Sequence, residues 1–425
     1  MDIHVVQPGD TMYRLAQQYG VPMERLLQDN QLENPAQLVV GQTIVVQYPE
    51  LTHTVKAGDS LYSIAQMHQT TAAQLLRNNP ALQGRDLLYP GQVVVVKYGS
   101  RPRGTLTVNA YAYPSIQRDL LRATLPYLSQ LTPFTYRFDE ENLIPLQDEA
   151  LVNAALQSRV APIFHLSNLD SQERFSSELA HELLEDEEDQ RELIGNILRT
   201  IDRKGYQGVD VDFEFIRGSD AEDYARFLAR LRRALASRGL PLIAALAPKT
   251  SADQPGRLYE GIDYHRIAQS VDFALLMTYD WGHLSGPPMA VAPLPQVRQV
   301  VEYALTEFYP NQLYLGIPNY GYNWTLPFRA GSQARSLSNV EAVRLAWNRR
   351  ESIRYDELAQ APWFRYVDDQ GAEHEIWFED ARSIQAKLNL AIDYGLYGVG
   401  YWNLDRPFPQ NWVVLNAIAD IRREM

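Results

Sequence analysis

The chain has no cysteine, so neither a disulfide framework nor a thiolate metal site can contribute to its fold. It is also short of positive charge. Against 52 Asp and Glu stand 39 Lys and Arg, and the resulting net charge of -13 argues against a nucleic-acid partner. No apolar run approaches the length needed to cross a bilayer, and the opening Met1-Asp2-Ile3-His4-Val5-Val6 lacks the basic region and apolar stretch of a secretion signal. The expectation is a soluble protein with no membrane partner, which works inside the cell that makes it or reaches a wall by another route. The eight histidines show no His-Glu-x-x-His or comparable ligand spacing, so no metal is expected. What the chain does have is size: 425 residues, 45% of them hydrophobic, suffice for a large core and more than one domain.

The most informative stretch is Gln207-Gly208-Val209-Asp210-Val211-Asp212-Phe213-Glu214. Strict alternation from Val209 to Phe213 reads as a strand, and period 2 sets Asp210, Asp212 and Glu214 on one face and Val209, Val211 and Phe213 on the other. Three carboxyl groups so close cannot all ionise freely. At least one should keep a proton near neutral pH, which an acid catalyst requires. A solvated face or ion-pair cluster is disfavoured, because the stretch holds no Lys or Arg and its other face is wholly apolar.

The first hundred residues repeat. His4-Val5-Val6-Gln7-Pro8-Gly9-Asp10-Thr11-Met12-Tyr13 returns as His53-Thr54-Val55-Lys56-Ala57-Gly58-Asp59-Ser60-Leu61-Tyr62 at an offset of 49, and Leu26 to Asn30 returns as Leu75 to Asn79. Val40 to Val46 answers Pro90 to Val96, with one residue inserted. Each unit reads as strand, helix, helix, strand, its first helix capped after Gly9-Asp10-Thr11 or Gly58-Asp59-Ser60. Turn chemistry places the units at 1–48 and 52–98 and a linker at 99–104.

From residue 105 to 425, strand-like runs alternate with helical patterns as a parallel (β/α)8 barrel requires. The expected strands are Leu106 to Tyr111, Thr132 to Tyr136, Ala161 to Leu166, Gly208 to Phe213, Leu242 to Ala247, Phe273 to Tyr279, Gln312 to Ile317 and Gly398 to Trp402. Helices are expected over Ser115 to Leu128, His181 to Lys204, Asp220 to Arg238, Pro295 to Phe308 and Ala381 to Tyr394. The acidic run from Glu185 to Asp189 reads as a solvated helical face. About eighty residues separate strands seven and eight, too many for a simple connection, so a small α+β insertion is expected over about 336–378.

The carboxylate strand resembles the fourth-strand signature of glycoside hydrolase family 18, whose usual form is Asp-x-x-Asp-x-Asp-x-Glu. Three of its four acids are present; Gln207 replaces the first Asp, and Phe213 stands where a Trp is common. Met277-Thr278-Tyr279-Asp280 resembles the family's Met-x-Tyr-Asp, and Trp402 falls where the family has the aromatic floor of its catalytic sugar subsite. The resemblance implies a TIM-barrel glycosidase acting without cofactor by a retaining, substrate-assisted route, in which the sugar's 2-acetamido oxygen attacks the anomeric carbon. Glu214 would protonate the leaving oxygen and then deprotonate water. Asp212 would orient the acetamido N–H, Asp210 would modulate Asp212, Tyr279 would donate to the acetamido oxygen, and Asp280 would fix sugar hydroxyls. Met277 shares the face of Tyr279. Tyr320, Tyr322 and Trp324 after strand seven, and Asn168 after strand three, are further candidates for the cleft.

The repeated units resemble LysM modules, which bind N-acetylglucosamine-containing glycans; by that resemblance the sugar groove would involve Gly9, Asp10, Thr11 and Asn30, and Gly58, Asp59, Ser60 and Asn79. The order of modules is similar to that of spore cortex-lytic N-acetylglucosaminidases. The expectation is therefore a monomeric peptidoglycan N-acetylglucosaminidase of the spore cortex, coat or cell wall. A chitinase, and a non-catalytic wall-binding protein on an enzyme-like barrel, are the alternatives.

Overall fold

The computed structural model describes residues 1–32, 34–139 and 143–423. Each N-terminal unit is a βααβ module: Asp2–Val5, Met12–Tyr19, Met23–Asn30 and Thr43–Val46 in the first, Pro49–Thr54, Leu61–Met67, Ala72–Asn78 and Val93–Tyr98 in the second. Their cores repeat position by position. Val6, Met12, Leu15, Ala16 and Leu26 are answered by Val55, Leu61, Ile64, Ala65 and Leu75. So small a core is marginal by itself, and both modules lean on the last helix of the chain, Pro409–Ile418. Gln410 donates to Asn30 Oδ1 and to Thr43 O; Gln74 donates to Asn416, which donates to Asn78.

The larger domain is a TIM barrel. Its parallel strands are Gly104–Ala112, Gln130–Pro133, a third in two parts, then Val209–Asp212, Leu242–Leu246, Phe273–Leu276, Leu313–Pro318 and Gly398–Trp402. The third closes the ring: Ala161–Pro162 pairs with strand two, and Phe164–Ser167 with strand four. Strand two thus lies slightly before its expected place. Strand six stops at Leu276 rather than Tyr279, because Thr278 and Tyr279 turn their N–H groups back to Leu276 O and Met277 O instead of joining the ladder.

The expected helix from His181 to Lys204 is two helices, Ser177–Glu185 and Glu187–Lys204. Between them Asp186 takes an extended conformation and caps the second through Glu188 N and Asp189 N. The acidic run is solvent-exposed as expected but holds this break.

The insertion begins earlier than expected. Its five-stranded sheet starts with Gly321–Leu326, adds Arg335–Leu337, Arg354–Asp356, Ala361–Val367 and Glu373–Trp377, and carries the helix Asn339–Arg349. Val39 of the first module is part of its core, and Ile353 N–H donates to Val40 O. Module, insertion and barrel therefore pack as neighbours.

Candidate active site

Strand four places Val209, Val211 and Phe213 in the core between strands and helices and turns Asp210 and Asp212 into the barrel. Glu214 follows at the mouth, and its carboxyl makes no hydrogen bond among the described residues. Burial raises Asp210 to about 7, opposed by the Tyr111 hydroxyl that donates to its Oδ2 at 2.6 Å. Asp212 is pushed well above the ordinary carboxylate value by burial, then by the charges of Glu214 and Asp210. Glu214 is raised to about 7 by burial, then by Asp280. The row can therefore hold protons near neutrality, which suits Glu214 for giving and taking one. Gln207, the departure from the four-acid pattern, is exposed at the other end of the strand and donates to Gly205 O, outside the row.

Beyond strand six, Tyr279 is part-buried against the main core with its hydroxyl unclaimed among the described residues. Burial and then Asp212, Asp280 and Glu214 push that hydroxyl far above its usual range, so it serves as a donor. Asp280 lies in the left-handed region (φ 61°) and accepts at Oδ1 from Tyr320 at 2.7 Å and Tyr322 at 3.1 Å. Those two tyrosines thus hold an acid in place. Trp324, expected at the cleft, is instead a core residue, 2% exposed, with its indole N–H on Gly286 O. Met277 packs against the cluster inside the barrel that Trp402 also covers.

Trp402 is part-exposed, and its flank is braced edge-on by Phe134 (4.8 Å), Tyr111 (5.5 Å) and Tyr113 (6.2 Å). A ring fixed in this way offers a flat apolar floor to a sugar.

Asn168 takes a different role from the expected one. It is fully buried, accepts from Glu214 N at 3.0 Å, and donates to Glu214 O at 2.9 Å and Ser176 O at 3.0 Å. It positions Glu214 and does not face a ligand.

Sequence reasoning missed Tyr111, Phe134 and His165. His165 is legible after the fact: between outward Phe164 and Leu166, period 2 points it inward with Ile163 and Ser167.

In the modules, most of the expected glycan-binding residues have structural duties. Gly9 and Gly58 occupy left-handed turns (φ 88° and 90°). Asp10 and Asp59 accept from the backbone of Gln7 and Lys56 and bond His4 and His53, and Thr11 and Ser60 cap helices. Asn30 and Asn79 are buried, each clasping the N–H and C=O of a strand residue, Val45 or Val95. Their amides have no hydrogen-bonding capacity left for a sugar, which corrects the expectation for these two positions.

Comparison with known proteins shows the family. The model of glycosyl hydrolases family 18 matches residues 170–406, and the LysM domain model matches residues 4–47 and 53–97. The chain is 42% identical over 426 residues to the cortical fragment-lytic enzyme of Bacillus subtilis, covering 98% of this chain and 97% of that protein. It superposes on the crystal structure of the Bacillus megaterium spore cortex-lytic enzyme SleL with a TM-score of 0.84 and 34% identity, covering 100% of this chain and 99% of the other. The Bacillus cereus SleL structure gives a TM-score of 0.84 at 37% identity, with the same coverage.

Proposed function

Since the chain belongs to glycosyl hydrolases family 18 and is a glycoside hydrolase carrying two LysM domains, we propose that it is a peptidoglycan N-acetylglucosaminidase that cuts spore cortex glycan or its fragments. The substrate follows from likeness along the whole chain, modules included, to an enzyme described as lytic for cortical fragments. One observation carries the mechanism: Glu214, protonated up to about pH 7, stands with buried Asp212 and the Tyr279 hydroxyl, unclaimed among the described residues, at one barrel mouth.

Glu214 protonates the glycosidic oxygen as the bond breaks. The acetamido oxygen of the sugar closes on its own anomeric carbon, so the reaction needs no carboxylate nucleophile. Asp212 accepts from the acetamido N–H and stabilises the cyclic cation, while Tyr279 donates to the acetamido oxygen. Water, deprotonated by Glu214, then opens the intermediate with retention. The acetamido donor is N-acetylglucosamine, because N-acetylmuramic acid carries a bulky lactyl ether on its 3-oxygen and a muramic lactam lacks the free acetamide. The LysM modules hold the enzyme on glycan, two weak sites adding by avidity. Their site of work is the spore cortex or the wall around it.

The test compares wild type with Glu214→Gln on purified cortex peptidoglycan and on chitin oligomers, with mass spectrometry of the new reducing ends. Peptidoglycan products ending in N-acetylglucosamine, absent in the variant, are expected. Cleavage of chitin alone would make the enzyme a chitinase, and binding of glycan without cleavage of either would make it a wall-binding protein.

A further inference from the structure

The proposed mechanism leaves the imidazole of His165 unused. It is fully buried within the second part of the third strand, its ring 5.5 Å from that of Tyr111 and 4.9 Å from that of Phe134. Nε2 lies 3.7 Å from Asp212 Oδ2 and 3.9 Å from Asp210 Oδ2, beyond hydrogen-bond reach, and has no partner among the described residues. Asp210 Oδ1 and Asp212 Oδ1 are orphaned in the same way. Buried polar atoms are seldom left unpaired, and here three of them belong to one cluster of side chains. Burial pulls the ring down to about 3, so it is neutral at physiological pH and these contacts are not ion pairs.

A neutral imidazole has one donor and one acceptor, and the Thr135 hydroxyl, just past strand two, decides which is which. Nδ1 is 2.6 Å from the Thr135 hydroxyl. Three other groups lie near that hydroxyl: Tyr136 O at 3.0 Å and His165 O at 3.5 Å, which already receive the Ser167 and Tyr136 N–H groups, and Ser167 Oγ at 3.1 Å, which can itself donate to Thr135. With Thr135 donating to Nδ1, the ring proton sits on Nε2 and points between the two carboxyls. Tyr111 already serves Asp210, whereas the Asp212 carboxyl has no hydrogen bond among the described residues. Among the described residues, the titratable groups that face the pair are Tyr111 from strand one, Glu214 just past the same strand, Tyr224 from the following helix, and Tyr279 after strand six. None of these is a cation.

Resting on the reading that Asp212 acts on the acetamido group, we infer that His165 is a positioning residue of the carboxyl row, whose Nε2–H closes on the Asp210–Asp212 pair when it carries negative charge and so holds Asp212 in its working place. A movement of about 0.8 Å brings Nε2 within hydrogen-bond distance of Asp212. The proton stays on the ring throughout; the ring lends a hydrogen bond and exchanges nothing.

The test follows the ionisation of the buried carboxyls by infrared difference spectroscopy across pH, on the full chain without substrate, for wild type, His165→Leu, His165→Gln and Thr135→Val. Loss of the Nε2 donor in His165→Leu should raise the pH at which the pair ionises by about one unit. It should lower kcat on glycan roughly 10-fold or more, with KM little changed. His165→Gln, whose amide N–H2 reaches the place of Nε2, should restore most of both. Thr135→Val releases the tautomer and should give a smaller shift in the same direction; it carries the test if His165→Leu fails to fold. An unmoved ionisation would make His165 a packing residue, and a downward shift would make Nε2 an acceptor; either overturns the inference. Because the infrared titration needs no substrate, a wild-type enzyme that cuts neither cortex nor chitin would defeat the functional reading separately.

Discussion

Asn168→Ala should impair the enzyme by releasing Glu214, not by losing a contact with sugar. The substitution removes the acceptor of Glu214 N–H and the donor to Glu214 O and Ser176 O, three hydrogen bonds of 2.9–3.0 Å in a fully buried place. At about 1 kcal/mol each, the loss comes to about 3 kcal/mol of stability, less whatever a water entering the vacated space recovers. The kinetic loss has a different origin. A displacement of about 1 Å at a reacting group costs up to ~100-fold, so kcat should fall roughly 10- to 100-fold while KM changes little. Asn168→Asp keeps the acceptor for Glu214 N–H but turns the donor into an acceptor facing two carbonyls, and should do no better. Steady-state kinetics and denaturant unfolding of both variants form the assay. A raised KM with unchanged kcat and unchanged stability would refute the reasoning and return Asn168 to the sugar.

Two further outcomes follow from the same geometry. Glu214 must be protonated to act as an acid, and its value of about 7 owes its second-largest push to Asp280. Activity should therefore decline as pH rises through about 7, and in Asp280→Asn, where that push is gone, the decline should begin at lower pH; a limb that stays or moves up contradicts this. The modules provide a matched pair. Gly41 and Gly91 share a left-handed backbone (φ 88° and 89°), but a Cβ would meet Ile353 O at 1.8 Å from Gly41 and nothing within 4 Å from Gly91. Both alanine variants bear a backbone cost of about 1–2 kcal/mol, yet only Gly41→Ala should loosen the first module from the insertion, read as faster hydrogen exchange around Val40. Equal exchange in the two variants would show that the contact does not hold the module.

The repeat shows most directly what was legible in the chain. Val6 and Val55, Leu15 and Ile64, Leu26 and Leu75 occupy matching core positions because the same local pattern builds the same small fold twice. The carboxyl row was equally legible, since period 2 along a strand puts Asp210, Asp212 and Glu214 on one side whatever the rest of the chain does. Boundaries were less so: the stop after Leu276 and the break at Asp186 each depend on two local hydrogen bonds, which composition does not reveal.

What the sequence determined by itself is therefore local and periodic: the two modules, the alternation that makes a barrel, and the line of acids on its fourth strand. Tertiary structure decided which polar side chains are free. Asn30, Asn79, Asn168 and Trp324 all look available as a string of letters, yet folding commits the three amides to backbone groups and the indole to Gly286. Conversely, His165 gains its meaning from Asp212, 3.7 Å away on a neighbouring strand. The physical reason is the same in each case. Whether a polar group is spent or spare depends on partners distant in sequence, and burial, which sets its protonation, is a property of the whole packed chain.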